Sequence, residues 1–289
     1  VSGASACTVE NAVAAAKLRL EDAGVNDALL DARILIGEAI GFSLTDFVLK
    51  AGYLVGADEA ERIAAMVERR ASGEPVYRIL GHREFYGLDF LLSRETLEPR
   101  PDTEILVDTL LEHLRRMTSR KGNARLIDLG TGTGAICLTL LKECPAASGI
   151  GSDISADVLA TASKNALRLG VADRFEAVRS DWFENISGGF DIIVSNPPYI
   201  RSDVVTKLDR EVRYHDPLAA LDGGEDGLAP YRLIAADAGR FLVENGVVGV
   251  EIGFDQRLDV SAIFTSHGFT LLEAVKDYGG NDRVLTFRR

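Results

Sequence analysis

LIDLGTGTGAI, residues 126–136, is an apolar strand that runs into Gly130, Gly132 and Gly134, with a helix opening at about Ala135. Glycines at such a junction let the backbone bend sharply and let a ligand approach with no Cβ in the way. Downstream the same rhythm repeats. The predicted strands are RLIDL (125–129), SGIGSD (148–153), RFEAVRSD (174–181), FDIIVSN (190–196) and GVVGVEIG (246–253). Helical patterns lie between most of them, as in ISADVLATASKNALRLG (154–170) and LAPYRLIAADAGRFLVENG (228–246). Alternation of this kind predicts an α/β fold, a doubly wound and mostly parallel sheet with crossover helices. The ending FTLLEAVKDYGGNDRVLTFRR (269–289) reads as a closing antiparallel pair around a Gly-Gly-Asn turn.

In doubly wound sheets ligands sit beyond the carboxyl ends of the strands, where the glycine loop lies. Gly130, Thr131, Gly132, Thr133 and Gly134 are therefore candidate cofactor contacts. Asp153 ends the second strand, where a carboxylate suits a ribose. These residues also satisfy a lenient dinucleotide pattern, so they leave NAD and an adenosyl cofactor both open. Asp128 favours the second, because its charge suits the ammonium end of a methionine moiety and sits poorly beside a pyrophosphate. A strand-end carboxylate that merely hydrogen-bonds the glycine loop is the alternative for Asp128.

FDIIVSNPPYI places Asn196, Pro197, Pro198 and Tyr199 directly after the fourth strand of the sheet. Two adjacent prolines fix φ twice and supply no N–H, which makes the turn rigid. The Asn196 side-chain oxygen and the Pro197 carbonyl are then two acceptors for one NH₂ group. An amide or aromatic amino nitrogen is a poor nucleophile, and holding both hydrogens aims its lone pair at an electrophilic methyl group. Asn196→Asp is accordingly expected to keep more activity than Asn196→Ala. The Tyr199 ring is expected to pack against the flat substrate group, and Tyr199→Phe to be mild. After the third strand, Asp181 and Trp182 are placed for an adenine, with the ring along its face. A core tryptophan is the bland alternative.

The rest of the 289 residues read differently. Residues 1 to about 75 read as short helices: DALLDARILIGEAIG (27–41) stops at Gly41, and Asp58 and Glu61 resemble a capping box ahead of a stripe of Ile63, Ala64 and Val67. EFYGLDFLL (84–92) is a predicted β-hairpin, and LEPRPDTE (97–104) with its two prolines interrupts regular structure. Residues 76–100 are thus expected to connect the two parts.

Composition, at 46% hydrophobic and 26% charged, is that of an ordinary globular protein, with no apolar run long enough for a membrane span. The first residues lack the charged and apolar regions of a signal peptide. Three cysteines without a C-x-x-C pair and four scattered histidines predict neither disulfides nor a metal site. A net charge of −12 argues against direct nucleic-acid binding, although RRASGEPVYRILGHR (69–83) is locally basic.

With these motifs in hand, the sequence resembles the release-factor glutamine methyltransferases, the HemK or PrmC type, over nearly its whole length. GEPVYRILGHREFYGLDF (73–90) and LEPRPDTE look like that family's connecting segment. DLGTGTGAI, SDWF and VSNPPYI look like its cofactor and substrate motifs, and DYGGNDRV like its tail. The resemblance implies a class I, Rossmann-like methyltransferase domain at 101–289, a β-hairpin linker at 76–100, and a helical substrate-docking domain at 1–75. It implies S-adenosylmethionine as cofactor, contacted by Gly130 to Gly134, Asp153, Trp182 and Asn196. The implied substrate is the glutamine of the Gly-Gly-Gln motif in class 1 peptide chain release factors, held by Asn196 to Tyr199. A cytoplasmic monomer is the expected form. Glu98 departs from the pattern, since an apolar residue commonly precedes Pro-Arg-Pro. Rival readings are a ribosomal-protein glutamine methyltransferase, a DNA or RNA amino-methyltransferase, a binding module with a degenerate site, and a dehydrogenase.

Overall fold

A computed structural model describes residues 7–289. The reading of the first residues as lacking a signal peptide falls largely on 1–6, outside the described residues. The chain divides into two compact units, one ending at Gly81 and the other beginning at His82.

The first unit is helical: α1 (Val9–Asp22), α2 (Ala28–Ile40), α3 (Asp46–Leu49), α4 (Ala57–Ala71) and α5 (Val76–Leu80). Leu20, Leu35, Ile36, Ile63, Val67, Val76 and Ile79 form its core. The boundary lies beyond the expected residue 75 because Val76 and Ile79 of α5 are buried in that core, so 76–80 is helix and not linker. The α4 start also differs from expectation. Glu59, not Glu61, reaches back, its carboxylate accepting the Gly56 N–H at 2.8 Å, so the helix opens before Asp58. Its inner stripe is Ile63, Val67 and Arg70, with Ala64 exposed. Buried Arg70 donates to Asp31 at 2.6 Å, an ion pair that offsets the desolvation of both.

The second unit begins with a hairpin of β1 (His82–Phe85) and β2 (Leu88–Leu91), joined at Tyr86 and Gly87, both at positive φ. Glu98 is buried and paired with Arg83 of β1. An ion pair thus fills the place where an apolar residue was expected.

The main sheet contains β3 (Ala124–Leu129), β4 (Ala147–Asp153), β5 (Phe175–Arg179), β6 (Phe190–Ser195), β7 (Leu242–Glu251), β8 (Thr270–Lys276) and β9 (Asp282–Arg288). Their order is β5-β4-β3-β6-β7-β9-β8, with β9 antiparallel to its neighbours and the other pairings parallel. The helices are α6 (Glu104–Lys121), α7 (Ala135–Glu143), α8 (Ala156–Leu169), the short α9 (Ser202–Val205) and α10 (Arg210–His215), α11 (Ala229–Phe241) and α12 (Arg257–Ser266). Leu242 to Asn245, read as the end of a helix, belongs to β7.

Successive strand residues point to opposite faces, and both faces are covered. Leu126, Ile192 and Val194 pack with Leu106, Leu110 and Leu138 of α6 and α7. Ile127, Ile193 and Val250 pack with Tyr231, Ile234 and Phe264 of α11 and α12. Every residue of β6 is buried, which is why FDIIVS reads as one apolar run. The sheet order reverses at β3, and β4 and β6 on its two sides deliver Asp153 and Asn196 to the same end.

Candidate active site

At the carboxyl ends of β3, β4, β5 and β6 lies a cavity of about 770 Å³. Gly130, Gly132, Asp153, Ile154, Asp181, Trp182, Asn196, Pro197 and Pro198 line one part of it. Four segments spread over residues 130–198 therefore meet here, as the strand order demands. Apolar residues Leu218, Ala220, Ala229, Pro230 and Leu233 line another part.

The glycine loop is built from below. The N–H groups of Gly130 and Thr131 both donate to the Ser152 carbonyl at 2.9 Å. Gly130 and Gly132 have φ of 69° and 57°, and a Cβ on either would meet nothing within 4 Å. The loop thus presents bare backbone to the cavity. Thr131, Thr133 and Gly134 do not line it: Thr131 and Thr133 are buried and Gly134 caps α7. The Thr133 carbonyl accepts from Asn165 of α8 at 2.9 Å, and Asn165 also exchanges hydrogen bonds with the backbone of Leu91. Asn165 was not legible as a site residue, since helical periodicity marks it only as inward.

Asp128 lies under the loop and not on the cavity wall. Its Oδ2 accepts from the Thr131 hydroxyl at 2.9 Å and the Cys137 N–H at 3.3 Å, while Oδ1 is buried without a partner. Burial pushes its carboxyl up to about 7. The loop-bracing alternative accounts for Oδ2. The orphaned Oδ1 fits a nearby cationic group.

Asp153 is on the wall. Its Oδ1 accepts the Ser155 N–H at 3.1 Å and its Oδ2 the Gly132 N–H at 3.4 Å, while burial raises its pKa. Trp182 has φ of 46°, lines the cavity and packs partly against the core, so it is not a core tryptophan alone. Asp181 is exposed on the same wall.

The Asn-Pro-Pro-Tyr turn is held by residues that sequence reasoning missed. Asn196 Nδ2 donates to the Thr103 hydroxyl at 3.2 Å. That hydroxyl donates in turn to Glu251 Oε2 at 2.6 Å, and the Tyr199 hydroxyl donates to Oε1 at 3.2 Å. Tyr199 therefore turns its hydroxyl to a buried carboxylate, packs partly against the core and is not a cavity-lining residue. Desolvation and the neighbouring Glu251 charge push the Tyr199 phenol up, and desolvation raises Glu251 itself. Gln256 Nε2 donates to the carbonyls of Tyr199 at 3.0 Å and Gly227 at 3.1 Å, tying the turn to the loop at 221–228. Thr103 and Glu251 lie within PDTE and VEIG, but only the pairing of Ser195 with Val250 brings Glu251 beside the turn.

Residues 11–81 match the PrmC N-terminal domain family, and residues 101–211 the methyltransferase small domain family. A release factor glutamine methyltransferase from Agrobacterium fabrum is 74% identical over 289 residues, covering 100% of both chains. The chain belongs to the release factor glutamine methyltransferase family. Another relative of that description, from Bradyrhizobium diazoefficiens, is 44% identical over 98% of this chain and 95% of its own. A solved methyltransferase from Pyrococcus furiosus shares the fold, with a TM-score of 0.53 at 18% identity over 79% of this chain and 98% of its own. The protein is a methyltransferase of the Rossmann-like class I fold, and its methyl donor is S-adenosylmethionine. The dehydrogenase and binding-module readings are thereby set aside. No helix among the described residues is long and apolar enough to cross a membrane.

Proposed function

We propose that this enzyme methylates the side-chain amide nitrogen of the glutamine in the Gly-Gly-Gln motif of class 1 peptide chain release factors. The observation that carries the reading is the anchored Asn196. Its Nδ2 is engaged by Thr103, which leaves Oδ1, an acceptor, for the cavity that Asn196 lines with Pro197.

The site fits the cofactor. Bare glycine backbone suits close approach, the Asp153 carboxylate suits a ribose diol, and Trp182 with Asp181 suits an adenine. The unpaired Asp128 Oδ1 suits the ammonium group. When bound, the cofactor supplies a methyl group on a sulfonium leaving group, so the protein needs no nucleophilic side chain.

What the chain does is position. Asn196 Oδ1 and the Pro197 carbonyl take the two amide hydrogens, which turns the nitrogen lone pair towards the cofactor end of the cavity. Orientation of this kind contributes up to roughly 7–11 kcal/mol in favourable systems. As the nitrogen gains the methyl group it sheds one proton, and water suffices as acceptor because a protonated amide is strongly acidic. Tyr199 serves the turn through Glu251. The helical unit, residues up to 81, docks the release factor, and the enzyme works as a cytoplasmic monomer without gripping nucleic acid. The −12 net charge agrees with that last point.

The test is incubation with isotopically labelled S-adenosylmethionine and intact release factors, followed by mass spectrometry of the digest. Label on the Gly-Gly-Gln glutamine is the expected result. Label on a ribosomal protein or on nucleic acid instead would overturn the assignment.

A further inference from the structure

Asn196 can serve as an acceptor only if its amide keeps one of two orientations. The two differ by a half-turn that exchanges an oxygen for an NH₂ group of nearly equal size, so packing does not choose between them and hydrogen bonding must. The choice is made two hydrogen bonds away, beyond Thr103. Glu251 is 1% exposed and, as a carboxylate, can only accept. It takes the Thr103 hydroxyl proton at 2.6 Å, and Thr103 is itself 4% exposed. With its one proton committed, the Thr103 oxygen can only accept, and what faces it at 3.2 Å must be the Asn196 NH₂. The oxygen of Asn196 is then left for the cavity. The same carboxylate takes the Tyr199 hydroxyl proton at 3.2 Å, so one buried group holds both ends of the tetrapeptide.

Keeping a carboxylate in this position is unfavourable unless it has partners. Glu251 has the two hydroxyls and the favourable field of Arg283, which is itself bound to Asp277 at 2.9 Å. A hydrophobic residue at the end of β7 would pack without that requirement, and the neighbouring Val250 and Ile252 are both fully buried. The carboxylate therefore calls for a reason beyond packing.

We propose that Glu251 is a positioning residue which, through the Thr103 hydroxyl, sets the amide orientation of Asn196 and so makes the site specific for an N–H donor. The proposal rests on the reading of Asn196 as the acceptor of the substrate amide. It assigns to Glu251 and Thr103 no contact with the substrate.

The experiment uses the full chain with Thr103→Ser, Thr103→Val and Glu251→Gln. Methyl transfer to an intact release factor is measured in single turnover at saturating S-adenosylmethionine. Affinity for S-adenosylhomocysteine is measured by calorimetry, and thermal midpoints are recorded. Thr103→Ser keeps the hydroxyl and should stay within about threefold of the parent rate. Thr103→Val keeps the shape and loses the relay, and its rate should fall about 10- to 100-fold, the scale of a misaligned reacting group. Glu251→Gln should fall similarly. In both slow variants the loss should appear in kcat, with KM for the release factor and cofactor affinity within about threefold of the parent. A merely structural role would lower the thermal midpoint of Thr103→Val without separating kcat from KM. Should Glu251→Gln fail to fold, the Thr103→Ser and Thr103→Val pair decides alone. If the parent labels the glutamine and Thr103→Val does so at the parent rate, the positioning proposal falls and the assigned function stands. If the parent labels no glutamine, the functional reading falls and takes the proposal with it.

Discussion

Replacing Gly223 with alanine probes how closely the loop at 221–228 must lie on the Asn-Pro-Pro-Tyr turn. The two backbones are joined by Gly223 N–H to the Ile200 carbonyl at 2.8 Å and Ile200 N–H to the Leu221 carbonyl at 3.0 Å. A Cβ at Gly223 would stand 2.8 Å from the Pro198 carbonyl oxygen, 2.9 Å from the Gly227 carbonyl oxygen and 2.9 Å from Tyr199 Cα. All three neighbours are backbone, so none can swing aside, and the strands of chain must separate by several tenths of an ångström. Overpacking of this kind typically costs about 1–3 kcal/mol. For a unit of this size that lowers the thermal midpoint by roughly 2–10 °C. The kinetic effect should be larger, because the displaced atoms include the turn that presents Asn196 and Pro197. A misplacement approaching 1 Å costs up to about 100-fold in rate. The assay is single-turnover methylation of a release factor beside a thermal melt, with Gly52→Ala as control, since its Cβ would meet nothing within 4 Å. Cofactor affinity should change little, because the Gly130 and Asp153 end is built on other strands. A Gly223→Ala enzyme with the parent rate and melting point would refute the claim that this close approach positions the turn.

Three further outcomes are expected. Asp153→Ala should weaken S-adenosylhomocysteine binding by about 1.5–3 kcal/mol in calorimetry, the loss of a charge-assisted hydrogen bond; an unchanged affinity would remove Asp153 from the cofactor site. Asn196→Ala should lower the single-turnover rate by about 2.7–4 kcal/mol of barrier, the scale for one preorganised hydrogen bond. Asn196→Asp, expected from sequence to be milder, should be as slow: it loses the donor to Thr103 and sets a second carboxylate near buried Glu251. An aspartate variant clearly faster than the alanine one would contradict that. Removing residues 1–81 should leave a folded catalytic unit, since its two cores contain no residue before Phe85, with cofactor affinity kept and methylation of intact release factor impaired. Normal methylation by the truncated chain would rule out a docking role for the helical unit.

Much of this protein is determined locally and is therefore legible in sequence. FDIIVS is buried on both faces and reads as a continuous apolar run, and Gly130 and Gly132 mark a bend that other residues resist. Adjacent prolines announce a rigid turn at 197–198 whatever surrounds it. The strand–helix alternation then implies a parallel sheet with its ligands at the carboxyl ends, and Asp153, Trp182 and Asn196 do share one cavity. What sequence leaves open depends on partners far along the chain. Nothing in VEIG says that Glu251 will lie beside Asn196, because that depends on β7 pairing with β6 and on the register Ser195 to Val250. Thr103 sits 93 residues from Asn196 and 148 from Glu251, and reads in sequence only as part of a proline-interrupted segment. For Asp128 the sequence allows either a ligand contact or a brace for the loop, and only the fold shows that one of its oxygens is taken up by the brace. The Tyr199 ring reads in sequence as a surface for the substrate, but that its hydroxyl donates to buried Glu251 depends on a residue 52 positions further along the chain. Periodicity records which side of an element is apolar. It carries no information about which distant hydrogen-bond partner meets a buried polar atom, and in this site those partners decide how Asn196 is turned.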